Sequence, residues 1–304
     1  DAVLDNPLSA NVVDICPVGA LTDRDFRFKL RVWYLGAADS VCPGCSRGCN
    51  IQIHFNNDKR PHHAEGARVM RLKPRENMDV NKWWICDAGR YGYPFIDEHR
   101  IKEAQKNEDN ATVAVGRDEA LAAVTQALAD RKAHPESIAV IGSAQLTNED
   151  AFALRRLFVD TLKVKTGDWT GPARLGDQDD FLLRADKNPN TAGVEAIFKD
   201  IPKTPSAEIF KAVDQGKIKT LFVFGQDLAA QFGEPRVQEL RKKLELFVYQ
   251  GTNENKTIPY AHWVVPSSVY AEKDGTFTNF QGRVQRIFQA VPPLGASLGD
   301  WEIF

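Results

Sequence analysis

The sequence predicts an α/β protein: a small, irregular, β-rich domain around clustered cysteines, followed by a doubly wound parallel α/β domain. Three observations carry this. All five cysteines fall within the first 86 residues. Beyond about residue 100, short continuously apolar runs alternate with amphipathic helical patterns, the signature of strands buried on both faces between crossover helices. The 304 residues leave room for about two domains. The spacing places the tail of one cysteine-bearing domain at residues 1–33, a compact cysteine domain at 34–98 and the α/β domain at 99–304.

The elements follow in chain order. Residues 1–33 begin turn-rich and continue through "VVDICPVGALT" into the basic-aromatic "DRDFRFKLRVW". "IQIHF" (51–55) alternates as a strand does, "NNDKRP" reads as a turn, and "ARVMRLKP" (67–74) reads as a returning strand. "DEALAAVTQALADRKA" (118–133) has helical spacing, with Asp118 expected as its cap. "SIAVIGS" (137–143) is expected as a buried strand, and Thr147 and Asp150 have capping-box spacing before the helix in "LTNEDAFALRRLFVDTL". "IKTLFVFG" and "ELFVYQG" are further buried strands, with the helix "EPRVQELRKKL" between them. Residues 167–206, rich in Gly, Pro and Asp, are expected as long surface loops. "EKDGTFTNFQGRVQRI" (272–287) holds two turns among short β segments.

Composition excludes several classes. Hydrophobic residues at 43% and charged residues at 26% suit a globular chain with a core. A net charge of −2 gives no global attraction to nucleic acid or an anionic membrane. No apolar run approaches the roughly 18 residues of a membrane span. The opening "DAVLDNPLSANVVD" has neither an initiator Met nor a signal peptide, so a processed chain or a piece of a longer one, in a reducing compartment, is expected.

"VCPGCSRGCN" (41–50) sets three cysteines at C-x2-C-x3-C, and Cys86 follows in "WWICDAGR". Four thiolates hold either Zn²⁺ or a [4Fe–4S] cube. Three ligands on one Gly-rich loop with a single distant fourth favour the cube over paired zinc knuckles, although spacing alone leaves zinc open. Trp83, Trp84 and Ile85 are candidates to shield the fourth ligand from water. The "CPGC" dithiol reading fails, because a third cysteine follows at once where a redox motif needs a helix. Cys16 precedes a proline, as the last cysteine of ferredoxin-type runs does; a plain buried thiol explains it equally well. No other cysteine lies between Cys16 and Cys42.

Eleven Arg and Lys residues lie between positions 24 and 75. Most read as a solvated face, with Arg71 and Arg75 the candidates to act on a cluster. His62 and His63 sit in a turn and are not expected as ligands. The α/β part carries no G-x-G-x-x-G or P-loop. Its "VIGS" and "VFGQD" turns are compatible with a nucleotide at a sheet edge or with a simple close turn. His262 reads as a core or edge residue rather than a catalyst.

"NPLSANVVDICPVGALTDRDFRFKLRVW", "SVCPGCSRGCNI", "RLKPRENMDVNKWWICDAGRYGY" and "AEKDGTFTNFQGRVQR" resemble the large iron–sulfur subunit of complex I, the respiratory NADH:quinone oxidoreductase. The resemblance implies a [4Fe–4S] cluster on Cys42, Cys45, Cys49 and Cys86, and Cys16 as one ligand of a second cluster whose other ligands lie upstream. It further implies a molybdopterin-oxidoreductase-like domain without its cofactor. Partners implied are an NADH-oxidising flavoprotein and downstream iron–sulfur subunits, on the cytoplasmic or matrix face of an energy-transducing inner membrane, with membrane contact only through the complex. Two features depart from the family: the α/β part is short, and "NDKRPHHAEG" lengthens the spacing to Cys86. The alternative is the electron-relay subunit of an NAD-linked hydrogenase or a formate dehydrogenase. Formate dehydrogenases resemble this chain but place a Lys two residues after the fourth cysteine, where this chain has Ala88.

Overall fold

A computed structural model describes residues 6–57, 67–108 and 111–303. The chain folds into two units. One gathers the chain up to Glu98 with Arg174–Asn190 and Tyr270–Pro292; the other comprises His99–Ala173, Thr191–Val269 and Pro293 onward.

In the first unit, β1 (Leu35–Val41), β2 (Asn50–Asn56) and β3 (Val69–Pro74) form an antiparallel sheet in that order. The alternation in "IQIHF" is realised: Ile51 and Ile53 are fully buried in β2 while Gln52 and His54 are not. The turn expected after β2, with His62 and His63, falls largely outside the described residues. A second hairpin pairs β11 (Gly275–Thr278) with β12 (Val284–Ile287); the expected Gln-Gly turn joins them at Gln281 and Gly282, whereas Gly275 of the expected Asp-Gly turn opens β11 as an extended strand residue paired with Ile287. Two short helices flank the cysteines: α1 (Asn11–Ile15) before Cys16 and α2 (Asp87–Tyr91) after Cys86.

The second unit is built on a seven-stranded sheet. Its parallel core runs β10 (Trp263–Pro266), β9 (Leu246–Gly251), β8 (Thr220–Phe224), β6 (Ile138–Ile141) and β7 (Thr166–Asp168). β4 (Ala104–Glu108) and β5 (Ala111–Val115) extend one edge antiparallel. Because strand side chains alternate, each core strand feeds two apolar layers. Ala139, Ile141, Leu221, Val223, Phe247 and Tyr249 face one layer, covered by α6 (Ser206–Asp214), α7 (Leu228–Phe232) and α8 (Glu234–Lys243). Ile138, Val140, Phe222, Phe224 and Val248 face the other, covered by α3 (Arg117–Arg131), α4 (Asn148–Leu154) and α5 (Thr191–Ile197). Helices on both faces make the sheet doubly wound, as expected.

Local signals in the sequence differ in how well they survive. The capping box is present: Thr147 Oγ1 accepts from Asp150 N, and the Asp150 carboxylate accepts from Thr147 N. The helix it opens continues as a π-helix over Arg155–Thr161. Asp118 is not a cap. Gly116 occupies the cap position in an extended conformation, and Asp118 lies inside the first turn, accepting from Arg117 Nε at 3.1 Å. Residues 167–206 are more than loops. They include α5, and Trp169, Leu182 and Phe198 are buried, with Trp169 and Phe198 stacked at 4.6 Å.

Candidate metal centre

Strands β1 and β2 pair up to Val41 opposite Asn50, so the three clustered cysteines occupy the loop that joins them. Cys42 N donates to Cys49 O at 2.9 Å and closes that loop at its base. Gly48 turns the chain at φ +69°, where a side chain would be strained, and a Cβ there would lie 2.6 Å from Gln285 Oε1. Cys86 caps α2, its sulfur accepting from Gly89 N at 3.3 Å. Gly89 is needed for space: a Cβ would meet Cys42 Sγ at 3.1 Å and Cys86 Sγ at 3.4 Å. That pair of distances brings the fourth cysteine to the loop.

All four cysteines are buried free thiols. Burial raises Cys42 and Cys49 far above the ordinary thiol range, and their neighbouring cysteines raise them further. Burial also raises Cys86, against the Gly89 N–H, while Cys45 adds to the rise and Lys187 opposes it. Burial therefore disfavours the thiolate at Cys42, Cys49 and Cys86, and a metal bound there has to displace their protons. Among the described residues no group of three or more His, Cys, Asp or Glu side chains is placed to hold a metal ion. Donor type and burial fit a [4Fe–4S] group.

Segments distant in sequence hold the loop. Ser46 N donates to Asp186 O at 2.9 Å, and Arg47 Nε and Nη2 donate to Leu182 O and Phe181 O. Phe280 N donates to Ser46 O, Asn279 Nδ2 to Arg47 O, and Gln285 Nε2 to Gly48 O at 2.8 Å. The buried Asn81 joins both halves, accepting from Asn50 N at 3.0 Å and donating to Trp84 O at 3.0 Å. None of these holding residues stands out in the sequence. Asn279 and Gln285 lie in a stretch whose only local signal is its turns.

The expected shield is partly realised. Ile85 is fully buried and Trp84 packs on Phe181, but Trp83 is 52% exposed and does not cover the site. The cations acting on the thiols are Lys187 on Cys86 and Arg47 on Cys49. Arg71 and Arg75 are engaged elsewhere: Arg71 donates to His54 Nδ1 and lies over the Phe26 ring, and Arg75 pairs with Asp39.

Cys16 stands apart, half-buried at the end of α1. Backbone N–H groups, Leu21 first and then Val18, Ala20 and Gly19, hold its thiol below the ordinary range. Neighbouring Val12, Ile15, Val18 and Leu21 are exposed. Its segment is tied to that of Cys86: Asn11 Nδ2 donates to Ile85 O at 2.8 Å, and Ser9 Oγ donates to Asp87 Oδ2 at 2.8 Å. Arg90 of α2 pairs with Asp14 of α1.

In the second unit, the order reverses between β6 and β8, where an open α/β sheet forms its ligand crevice. Here Gln226 Nε2 donates to Gly142 O at 3.2 Å, and a Cβ on Gly142 would lie 2.1 Å from Trp169 O. His262 Nδ1 accepts from Phe247 N at 2.8 Å, a structural role that agrees with the sequence reading.

Residues 37–98 match the family described as "Molybdopterin oxidoreductase Fe4S4 domain", and residues 163–304 match "Molybdopterin oxidoreductase". The chain is 32% identical over 195 residues to NADH-quinone oxidoreductase subunit 3 of Thermus thermophilus, covering 60% of this chain and 23% of that one. It is 28% identical over 298 residues to an NADH-quinone oxidoreductase subunit of Rickettsia felis, covering 90% and 41% respectively. The chain therefore spans well under half the length of either relative. In fold it is similar to acetylene hydratase from Pelobacter acetylenicus, with a TM-score of 0.54 at 10% identity over 88% of this chain and 68% of that one.

Proposed function

Since this chain is a homologue of iron–sulfur subunits of NADH-quinone oxidoreductase, we propose that it is an electron-transfer subunit in the peripheral arm of a respiratory complex I. It relays electrons from NADH and flavin toward quinone. Cys42, Cys45, Cys49 and Cys86 bind one [4Fe–4S] cluster. The observation that carries this is the convergence of four buried free thiols, three of them on one hairpin loop.

When bound, the cluster supplies single-electron uptake and release; no side chain here makes or breaks a bond. The chain's own residues have three tasks. The thiols give up their protons on assembly, which burial makes unfavourable until metal compensates. The N–H groups of Gly44 and Gly89 point at Cys42 and Cys86 sulfur and stabilise negative charge there. Ile85 and Trp84 keep water from the fourth ligand, and exclusion of water is one of the factors that set a cluster's potential.

Cys16 is one ligand of a second [4Fe–4S] cluster completed from outside these 304 residues. Its low-lying thiol and exposed apolar surroundings support the assignment. Residues 1–33 then belong to a ferredoxin-type domain and residues 34–98 to the cluster domain. Residues 99–304 form a molybdopterin-oxidoreductase-like domain that binds no molybdopterin, a fold kept without its ancestral site. The packing of Gln226 and Trp169 at the switch point supports that last assignment. The partners are the NADH-oxidising flavoprotein and downstream iron–sulfur subunits. The protein is peripheral, on the cytoplasmic or matrix face of the inner membrane, and among the described residues no helix is long and apolar enough to cross a membrane.

Iron, acid-labile sulfide and molybdenum assays on anaerobically purified protein test the reading. Iron and sulfide without molybdenum are expected. One equivalent of zinc without sulfide would overturn the cluster, and stoichiometric molybdenum or tungsten would turn the assignment toward a formate dehydrogenase. A structure of the native assembly decides Cys16, by the presence of iron within bonding distance of its sulfur.

A further inference from the structure

Residues 23–33 carry a surface that neither cysteine site uses. The segment is held in place at several points. Leu30 and Met70 pack together with Phe26 and Tyr34 against them, and the Arg71 guanidinium lies 4.0 Å from the centroid of the Phe26 ring. Asp25 accepts from Lys29 Nζ at 3.2 Å and from the Tyr93 hydroxyl, while Asp23 Oδ1 accepts from Asp25 N at 2.9 Å. On that fixed frame Phe28 is 91% exposed, Trp33 is 70% exposed, and Val32 between segment and strand is exposed as well. Phe28 also takes φ +68°, a left-handed conformation unfavourable for a bulky residue. A ring turned to water from a strained backbone, on an anchored segment, is placed for a contact that the described residues do not supply.

Charges around these rings are unequally satisfied. The carboxylates are engaged within the chain: Asp25 and Asp23 as above, and Asp14 of α1 with Arg90 and Lys73. Arg24, Arg27 and Arg31 are exposed and have no ion-pair partner among the described residues. Arg27 lies 4.7 Å from the centroid of the Phe28 ring, and Arg31 lies 5.3 Å from that of Trp33. A guanidinium resting on an aromatic ring keeps its N–H edge for a bidentate carboxylate. Arginine beside exposed aromatic rings is the composition of interface hot spots. A cleft of about 350 Å³, lined in part by Leu21, Arg27, Phe28 and Arg71, leaves room for an inserted side chain. An occupant has to bring apolar groups to the rings and acceptors to the arginines. Phosphate surfaces bind through arrays of Lys and Arg, and Asp23 and Asp25 interrupt any such array here. A polypeptide face with acidic and apolar side chains meets both needs.

We propose that residues 24–33 are a docking surface for an acidic, apolar face of another subunit, with Phe28 and Trp33 as its anchors and Arg24, Arg27 and Arg31 paired to carboxylates of that face. The inference takes from the reading above only that the chain is one subunit of an assembly; it needs neither cysteine site. Covering Phe28 and Trp33 also takes water from the guanidiniums that rest on them. That is favourable only where carboxylates receive the arginines, because a neutral or basic face would leave buried charge unpaired. The rings supply the contact area and the arginines select the partner.

The test compares the full chain alone with the same chain in its native assembly. Hydroxyl-radical footprinting should oxidise Phe28 and Trp33 in the isolated chain and find them protected in the assembly. With Arg27→Lys and Arg31→Lys combined, a carbodiimide should couple an amine at one of these positions directly to an Asp or Glu of another subunit, identified by mass spectrometry. Arg27→Glu with Arg31→Glu should weaken association with the assembly by about tenfold or more at low salt, and by less as salt screens the wild-type attraction. Thermal unfolding of the isolated chain should not change. Undiminished association of that charge-reversed protein overturns the proposal. So does coupling to a second copy of this chain, or protection of the two rings by phosphatidylglycerol vesicles without coupling to any protein. A chain recovered from cells with no partner overturns the multisubunit reading and the proposal together. An intact assembly in which both rings stay reactive overturns the proposal alone, and the two failures are thereby separable.

Discussion

Each of the two units is stabilised by different physics. In the α/β unit, parallel strands present alternate side chains to two apolar layers, and its stability comes from burying them. In the cysteine unit, one loop exchanges hydrogen bonds with Asn81, Asn279, Gln285 and the backbone of Asp186 and Phe280, the Asn81 and Asp186 oxygens accepting and the other three donating. At its centre are four buried thiols, of which Cys42 and Cys49 are held far from the thiolate form by that burial. The difference teaches which part depends on a bound group. An apolar sandwich is complete as a polypeptide, whereas a cage of buried thiols is completed by what it holds.

The largest effect expected from this contrast is on removal of the group. Structural metal sites contribute on the order of 10 kcal/mol to small domains. Cys86→Ser, or chelation of iron, should strip hydrogen-exchange protection from residues 41–50 and 84–91 while β6, β8 and β9 keep theirs. Equal loss in both regions would end the contrast. Next is Phe158→Ala. Phe158 is 1% exposed and packs at 5.0 Å from Phe222 and 6.0 Å from Phe224. Truncating a buried Phe costs about 3–5 kcal/mol. Urea unfolding should show that loss in the α/β transition, and an altered cluster spectrum would show that the regions are coupled after all.

A smaller change tests the hydrogen-bonded cage. Gln285→Ala leaves Gly48 O without its donor, which costs roughly 1–3 kcal/mol for a buried group. Iron content at a fixed reconstitution time should fall while the α/β transition stays in place. The smallest effect is on pH. His54 and His262 both accept a hydrogen bond at Nδ1, which requires the neutral ring. Burial pushes each down to about 4 from 6.5, helped by Arg71 and Lys73 at His54 and by Arg241 and Arg131 at His262. A lowered folded pKa gives stability that is complete above about 6.5 and is lost as pH falls toward about 4. Both rings are half-buried, so solvent screening limits the loss to roughly 1 kcal/mol each. His262→Gln should flatten the dependence of the α/β transition only, and His54→Gln that of the cysteine unit only.

The sequence by itself determined whatever depends on near neighbours. The spacing of Cys42, Cys45 and Cys49 fixes three thiols on one loop, because a hairpin's register brings its ends together. Thr147 and Asp150 make their capping box because both bonds lie within one helical turn. The apolar runs at 138–141 and 220–224 are buried strands, as their shortness and the Gly that follows each within a residue predict. Tertiary structure alone decided what surrounds the thiols. Residues 174–190 and 270–292 fold with the cysteine unit, and they bring Asp186 and Gln285 to a loop that ends at Cys49, more than 130 residues earlier in the chain. No local pattern encodes such a meeting. A glutamine that satisfies one distant carbonyl has the same immediate neighbours as one on the surface. Only the packing of the whole chain selects which it becomes.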